Sequence, residues 1–151
     1  MADNRELGVL EIYERIKADR TTIGLTSFKR NPKVPVLQTE LPCVVLLERN
    51  DTILTYSSRS KVGYPARRQF EIQVELITNS KVTPDIRAMF KLLRKAVFKV
   101  RGTSNPEQFS NIIAENLYFL ENRTEGPLNY GLPDIDVMRL ILDLFYIDEG
   151  F

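Results

Sequence analysis

The sequence contains no histidine. That removes the commonest general base, the commonest zinc ligand and every Ser-His or Cys-His nucleophile system together. Its single cysteine, Cys43, can neither close an internal disulfide nor assemble a thiolate metal site. A free thiol inside the apolar run Leu41-Pro42-Cys43-Val44-Val45 reads as a small buried hydrophobe in a protein of a reducing compartment. No G-x-G-x-x-G or Walker-type loop occurs, and the seven glycines lie mostly at turns, so a nucleotide cradle has no basis. No window approaches the roughly 18 apolar residues of a membrane-spanning helix. The opening Met-Ala-Asp-Asn-Arg-Glu lacks the basic-then-apolar pattern of a secretory leader. Synthesis and folding in the cytoplasm, with no membrane partner, are therefore expected.

Charge of one sign is also lacking. With 21 Lys+Arg against 20 Asp+Glu the net charge is +1, too little to hold a polyanion by a global field. Carboxylates alone remain as candidate chemistry. Asp134, Asp136, Asp143, Asp148 and Glu149 are the set with the donor chemistry for Mg²⁺ or an acid-base pair. Asp136 precedes a strand and Asp143 points outward from it, so solvated or interfacial roles are expected. No catalytic, metal-binding or cofactor-binding residue is assigned.

What is present suits one packed α+β domain spanning residues 1–151: 43% of the residues are hydrophobic and 27% charged. Leu7, Val9, Leu10, Ile12, Tyr13 and Ile16 recur at helical spacing with Glu11, Glu14, Arg15 and Lys17 between them, which predicts an amphipathic helix over 5–19 capped by Asp3 or Asn4. Residues 20–35, with Pro32 and Pro35, read as a loop that is extended in part. Residues 36–56 read as two strands joined by a turn at Glu48-Arg49-Asn50-Asp51. The basic stretch 57–69, broken by Gly63 and Pro65, reads as a mobile excursion. Phe70, Ile72, Val74 and Leu76 then alternate with Glu71, Gln73 and Glu75 as a half-wet strand.

Thr83-Pro84-Asp85 opens a predicted helix over 84–99, which Gly102 stops. One face of it is apolar, and Arg87, Lys91, Arg94, Lys95 and Lys99 crowd the other. Ser104-Asn105-Pro106-Glu107 suggests a helical turn, 112–121 fits helix or strand and is read as strand from Tyr118 and Phe119, and 122–134 reads as a loop. A long final strand sets Met138, Leu140, Leu142, Leu144 and Tyr146 on one face. Val137, Arg139, Ile141, Asp143 and Phe145 lie on the other, which is only half polar and suggests a covering partner. The sum is an antiparallel β-sheet flanked by two main α-helices.

Two groups of residues stand out as partner-facing. Arg59, Lys61, Tyr64, Arg67 and Arg68 form a candidate docking loop. Arg87, Lys91, Arg94 and Lys95 on the helix, with Ile141, Phe145, Asp148, Glu149 and Phe151 at the end of the chain, form a candidate subunit interface in which the cations face an acidic tail on a neighbour.

The amphipathic start, the Leu41–Val45 run, Tyr64-Pro65-Ala66-Arg67-Arg68 leading into Phe70–Leu76, and the Pro84 helix resemble the phage tail terminator, or minor tail protein U-like, family. That resemblance implies a non-enzymatic virion protein at the head-proximal end of the tail. It implies a hexameric ring that caps the tail tube, joins a head-completion or neck protein and lets genomic DNA pass. It also implies that the 57–68 loop orders on the tube. The alternatives are a head-completion or neck protein of the same assembly, a small nucleic-acid-binding module using Arg59, Lys61, Arg67, Arg68 and the helix cations, and, last, a carboxylate enzyme.

Overall fold

A computed structural model describes residues 3–56, 65–105, 107–129 and 132–150. Helix α1 (Asn4–Ala18) begins where the Asp3 carboxylate accepts a hydrogen bond from the Glu6 amide at 2.7 Å. A one-turn helix α2 (Arg20–Ile23) ends at Gly24, whose φ of 92° needs no Cβ. Strand β1 (Ser27–Arg30), strands β2 (Cys43–Tyr56) and β3 (Ala66–Asn79), helix α3 (Ile86–Phe98), and strands β4 (Ile112–Ala114), β5 (Leu117–Leu128) and β6 (Ile135–Asp148) follow. The six strands form one sheet in the order β1-β2-β3-β6-β5-β4.

The class is α+β with two main helices, as expected, and all pairings are antiparallel except β1 with β2, which is parallel. Helices α1 and α3 pack on one face, where Val44, Leu46, Ile72, Val74, Leu76, Leu140, Leu142 and Leu144 meet Val9, Ile12, Ile16, Leu93 and Val97 in one core. Apolar residues at period two on the strands and period 3.6 on the helices make this union possible. At Gly8 the helix lies so near the sheet that an added Cβ would lie 2.6 Å from Leu144 Cδ2. No helix among the described residues is long and apolar enough to cross a membrane.

Several local expectations are corrected. Residues 20–35 are not all loop. Phe28 stacks on Tyr13 with centroids 4.6 Å apart, and Arg30 donates to both Glu6 and Glu48, so distant partners create α2 and β1 in a stretch with weak local signals. Residues 36–42 carry no strand, and the Glu48–Asp51 turn is a β-bulge within one continuous strand. Helix α3 starts at Ile86 rather than 84, with Asp85 as its cap accepting from the Ala88 amide. Near 105 there is an Asx-type turn instead of helix, the Glu107 amide donating to Asn105 Oδ1. The expected strand over 112–121 is divided by a turn at Glu115-Asn116, with Asn116 at φ 59°. Residues 122–128 extend β5, and the Gly126-Pro127 signal falls at an edge-strand bulge.

Candidate assembly surfaces

The bulge in β2 determines the polar cluster at one end of the sheet. Glu48 lies opposite Ile72 and Asp51 opposite Phe70, so one extra residue turns Asp51 toward the helix side. There its carboxylate accepts from the Tyr146 hydroxyl, from Arg5 at 3.1 Å and from Arg68 at 3.4 Å. Arg68 also donates to Asp148 at 2.8 Å, and Asn4 donates to the Ile147 carbonyl at 2.8 Å. Arg5 lies over the Phe70 ring, 4.9 Å from its centroid. Helix α1, the β2–β3 pair and the end of β6 are thereby fastened to one another. Burial, and then the adjacent Asp51 carboxylate, push the Tyr146 phenol well above its ordinary value, so the hydroxyl stays a donor.

This arrangement redistributes the expected docking loop. Arg67 and Arg68 belong to β3, opposite Ile147 and Tyr146 of β6, because the ladder runs on to Ala66. Arg67 is exposed, whereas Arg68 is held by two carboxylates. Arg59, Lys61 and Tyr64 lie outside the described residues, as does Phe151.

The candidate subunit interface is also divided by the fold. Arg87 and Lys91 are exposed on α3. Arg94 pairs with Glu121 at 2.5 Å and Lys95 with Glu107 at 3.3 Å, both within the chain. Ile141 is fully covered by its own chain and offers no surface. Phe145 stacks on Tyr118 at 5.1 Å. Asp148 is engaged by Arg68 and Glu149 by Asn4, so the acidic tail already has partners at home. Among the described residues, no group of three metal-ligand side chains converges.

Three features escape sequence reasoning. Arg15, which helical spacing places among the polar positions, is 4% exposed and donates to the carbonyls of Val97 and Ser110 at 3.1 and 2.6 Å. It also pairs with Glu11, whose pKa is lowered: burial opposes the shift, but hydrogen bonds from Arg101 and Arg15 outweigh it. The second feature is a set of exposed apolar side chains near the β4 edge, where Phe109 and Leu120 line a shallow groove with Phe98 and Ile112 is exposed on β4 itself. The third is a cleft of about 580 Å³ on the helix-free face, with Ile77 and Val137 among its lining and Val36, Leu41 and Leu132 beside them. Its lining joins the 36–41 segment, β3, β6 and the turn before β6, four places far apart in sequence, so no local pattern announces it.

No protein-family model matches the chain, and no curated protein matches it. Among solved structures, it is similar to a chain of a structure titled "Virion of native gene transfer agent (GTA) particle". The two are 13% identical, the match covers 93% of this chain and 94% of that one, and the TM-score is 0.48.

Proposed function

We propose that this chain is a structural protein of a tailed-phage virion that forms a ring on the head-proximal end of the tail tube, ends tube elongation and presents the head-joining surface. It works by shape and association, without catalysis. Its partners are copies of itself, the tail tube protein and a head-completion or neck protein, with genomic DNA passing through the ring.

The observation that carries this reading is the pair of regions where apolar side chains stand exposed, the β4 edge with Phe109, Ile112 and Leu120 and the helix-free cleft with Val36, Leu41 and Leu132 beside Glu75, Asp134 and Arg139. They stand on an α+β chain with a mostly antiparallel sheet and two main helices, the class of fold that the tail-terminator resemblance implies. Solvent-facing apolar patches on separate parts of one small subunit favour association on two sides. The nucleic-acid alternative is weakened by Arg68, Arg94 and Lys95, whose charges are already paired within the chain.

The test is negative-stain imaging with light scattering, on the purified chain alone and mixed with tubes of the tail tube protein from the phage that encodes it. Six-fold rings of about six times 17.4 kDa, seated at one end of each tube, are expected. A chain that never oligomerises, or that coats tubes along their length, overturns the proposal.

A further inference from the structure

The sheet leaves main chain open at both of its edges. At one edge β1 pairs with β2 only over Cys43–Leu46, and the chain turns out of the sheet at Asn31, where φ is 44°. Among the described residues no strand lies beside the later part of β2 on that side. There Thr52-Ile53-Leu54-Thr55 carries neither charge nor proline, Ile53 and Leu54 are 38% and 46% exposed, and a bulge leaves Leu54 outside the ladder with β3. At the other edge β4 is uncharged as well, Ile112-Ile113-Ala114, with Ile112 63% exposed. The Phe119 amide donates to the Asn111 carbonyl at 3.0 Å, so the alternation of an antiparallel ladder turns the Ile112 amide away from β5, where it meets only the Ser110 hydroxyl of its own chain, at 3.1 Å. The stretch of β5 that β4 leaves uncovered is different: Glu121, Arg123, Glu125 and Pro127 guard it against pairing. Register sets the two uncharged edges at one level. Thr52 lies opposite Gln69, Gln69 opposite Phe145, Phe145 opposite Tyr118 and Tyr118 opposite Ile112. These antiparallel steps also return β4 to the direction of β2.

We propose that β4 of one copy of this chain adds, in parallel, to the open edge of β2 on the next copy, with Ile112 beside Thr52. This assignment deepens the ring reading above and rests on it. Two different edges at opposite sides of one sheet make a head-to-tail contact, and because they stand at the same level each copy follows the last without a step along the strands. Such a contact closes into a ring, whereas an offset winds into a filament. β2 already takes a parallel strand on this side, and the neighbour's β4 continues the line of β1. The charges agree with the register. With Ile112 beside Thr52, Glu115 of one copy falls level with Thr55 of the next, whose partner on β3 is Arg67. Both are exposed and neither has an ionic partner among the described residues, so this pair orients the contact.

The experiment uses Thr52→Cys and Ile112→Cys, both at exposed positions, since neighbouring strands bring such residues within disulfide reach and the native Cys43 is buried. Thermal melts establish that the variants fold, and sedimentation velocity establishes that wild type forms rings. On mild oxidation the double variant gives a ladder of linked chains on a non-reducing gel, ending at the ring size. The two single variants mixed one to one give dimers that join unlike chains, and each alone gives no cross-link. As an independent arm, Arg67→Glu raises the concentration at which rings form, and Glu115→Arg added to it brings that concentration back. Wild-type rings whose cysteine variants stay unlinked, or an Arg67→Glu loss that Glu115→Arg does not restore, overturn this assignment while leaving the ring reading in place. Cross-linking of Thr52→Cys alone marks a two-fold contact between like edges and overturns it as well. A wild-type chain that never assembles, even with tubes present, removes the ring reading and this inference with it.

Discussion

Replacing Asp51 with alanine should destabilise the protein well beyond an ordinary surface substitution, and the reason is its three donors. The Tyr146 hydroxyl is the most consequential of them, because the residue is only 7% exposed and donates its proton to Asp51. A buried polar group left without its partner costs about 1–3 kcal/mol. Arg5 is partly exposed and Arg68 keeps Asp148, so each lost ion pair adds about 0–1 kcal/mol. The whole change should cost about 2–4 kcal/mol.

Tyr146→Phe alone should cost about 1 kcal/mol, since Asp51 keeps both arginines. In the Asp51→Ala background the same phenylalanine should cost nothing or stabilise, because it removes the stranded hydroxyl. Urea denaturation of the four proteins in this cycle measures the coupling, predicted at about 1 kcal/mol or more. Additive effects would refute the claim that Asp51 and Tyr146 act together.

Three further outcomes follow from the geometry. The folded-state Tyr146 pKa is raised by burial and by Asp51, so its contribution is complete below the ordinary tyrosine pKa of about 10 and is lost as pH rises from there toward the folded value. Wild type should therefore lose stability above about pH 10 more steeply than Tyr146→Phe, which pH-dependent melts will show. Gly8→Ala should destabilise by about 1 kcal/mol even though alanine favours helix by about that amount, because crowding against Leu144 costs about 1–3 kcal/mol; a higher melting temperature would contradict the packing. Arg15→Met strands the Val97 and Ser110 carbonyls and should cost about 2–4 kcal/mol, with faster amide exchange over 109–114, read by chemical denaturation and hydrogen exchange.

Periodicity made the main elements legible. The alternation from Phe70 to Leu76, the helical spacing of α1 and α3 and the apolar face of β6 all come from burial on one side, which leaves a local trace. Features supported by distant partners left none. β1 exists because Tyr13, Glu6 and Glu48 hold Phe28 and Arg30, and β5 passes through Gly126-Pro127 because its outer edge there needs no amide from proline. The turn chemistry at Asn50-Asp51 was a genuine signal of irregular backbone, but the ladder with β3 absorbs it as a bulge. At the candidate surfaces, charge was the readable property and the less informative one. Arg68, Arg94 and Lys95 use their charge within the chain, while the exposed Ile112 and Leu132 become meaningful only once the sheet brings their neighbours together.

The central claim is that this chain ends the growth of a tail tube by capping it. Its most direct test is the length distribution of tubes assembled from the tail tube protein with and without the purified chain, measured by electron microscopy. Capping predicts that tubes stop growing when the chain is added and carry it at one end, whereas tubes left without it continue to lengthen. Tubes that elongate equally in both samples would contradict the account.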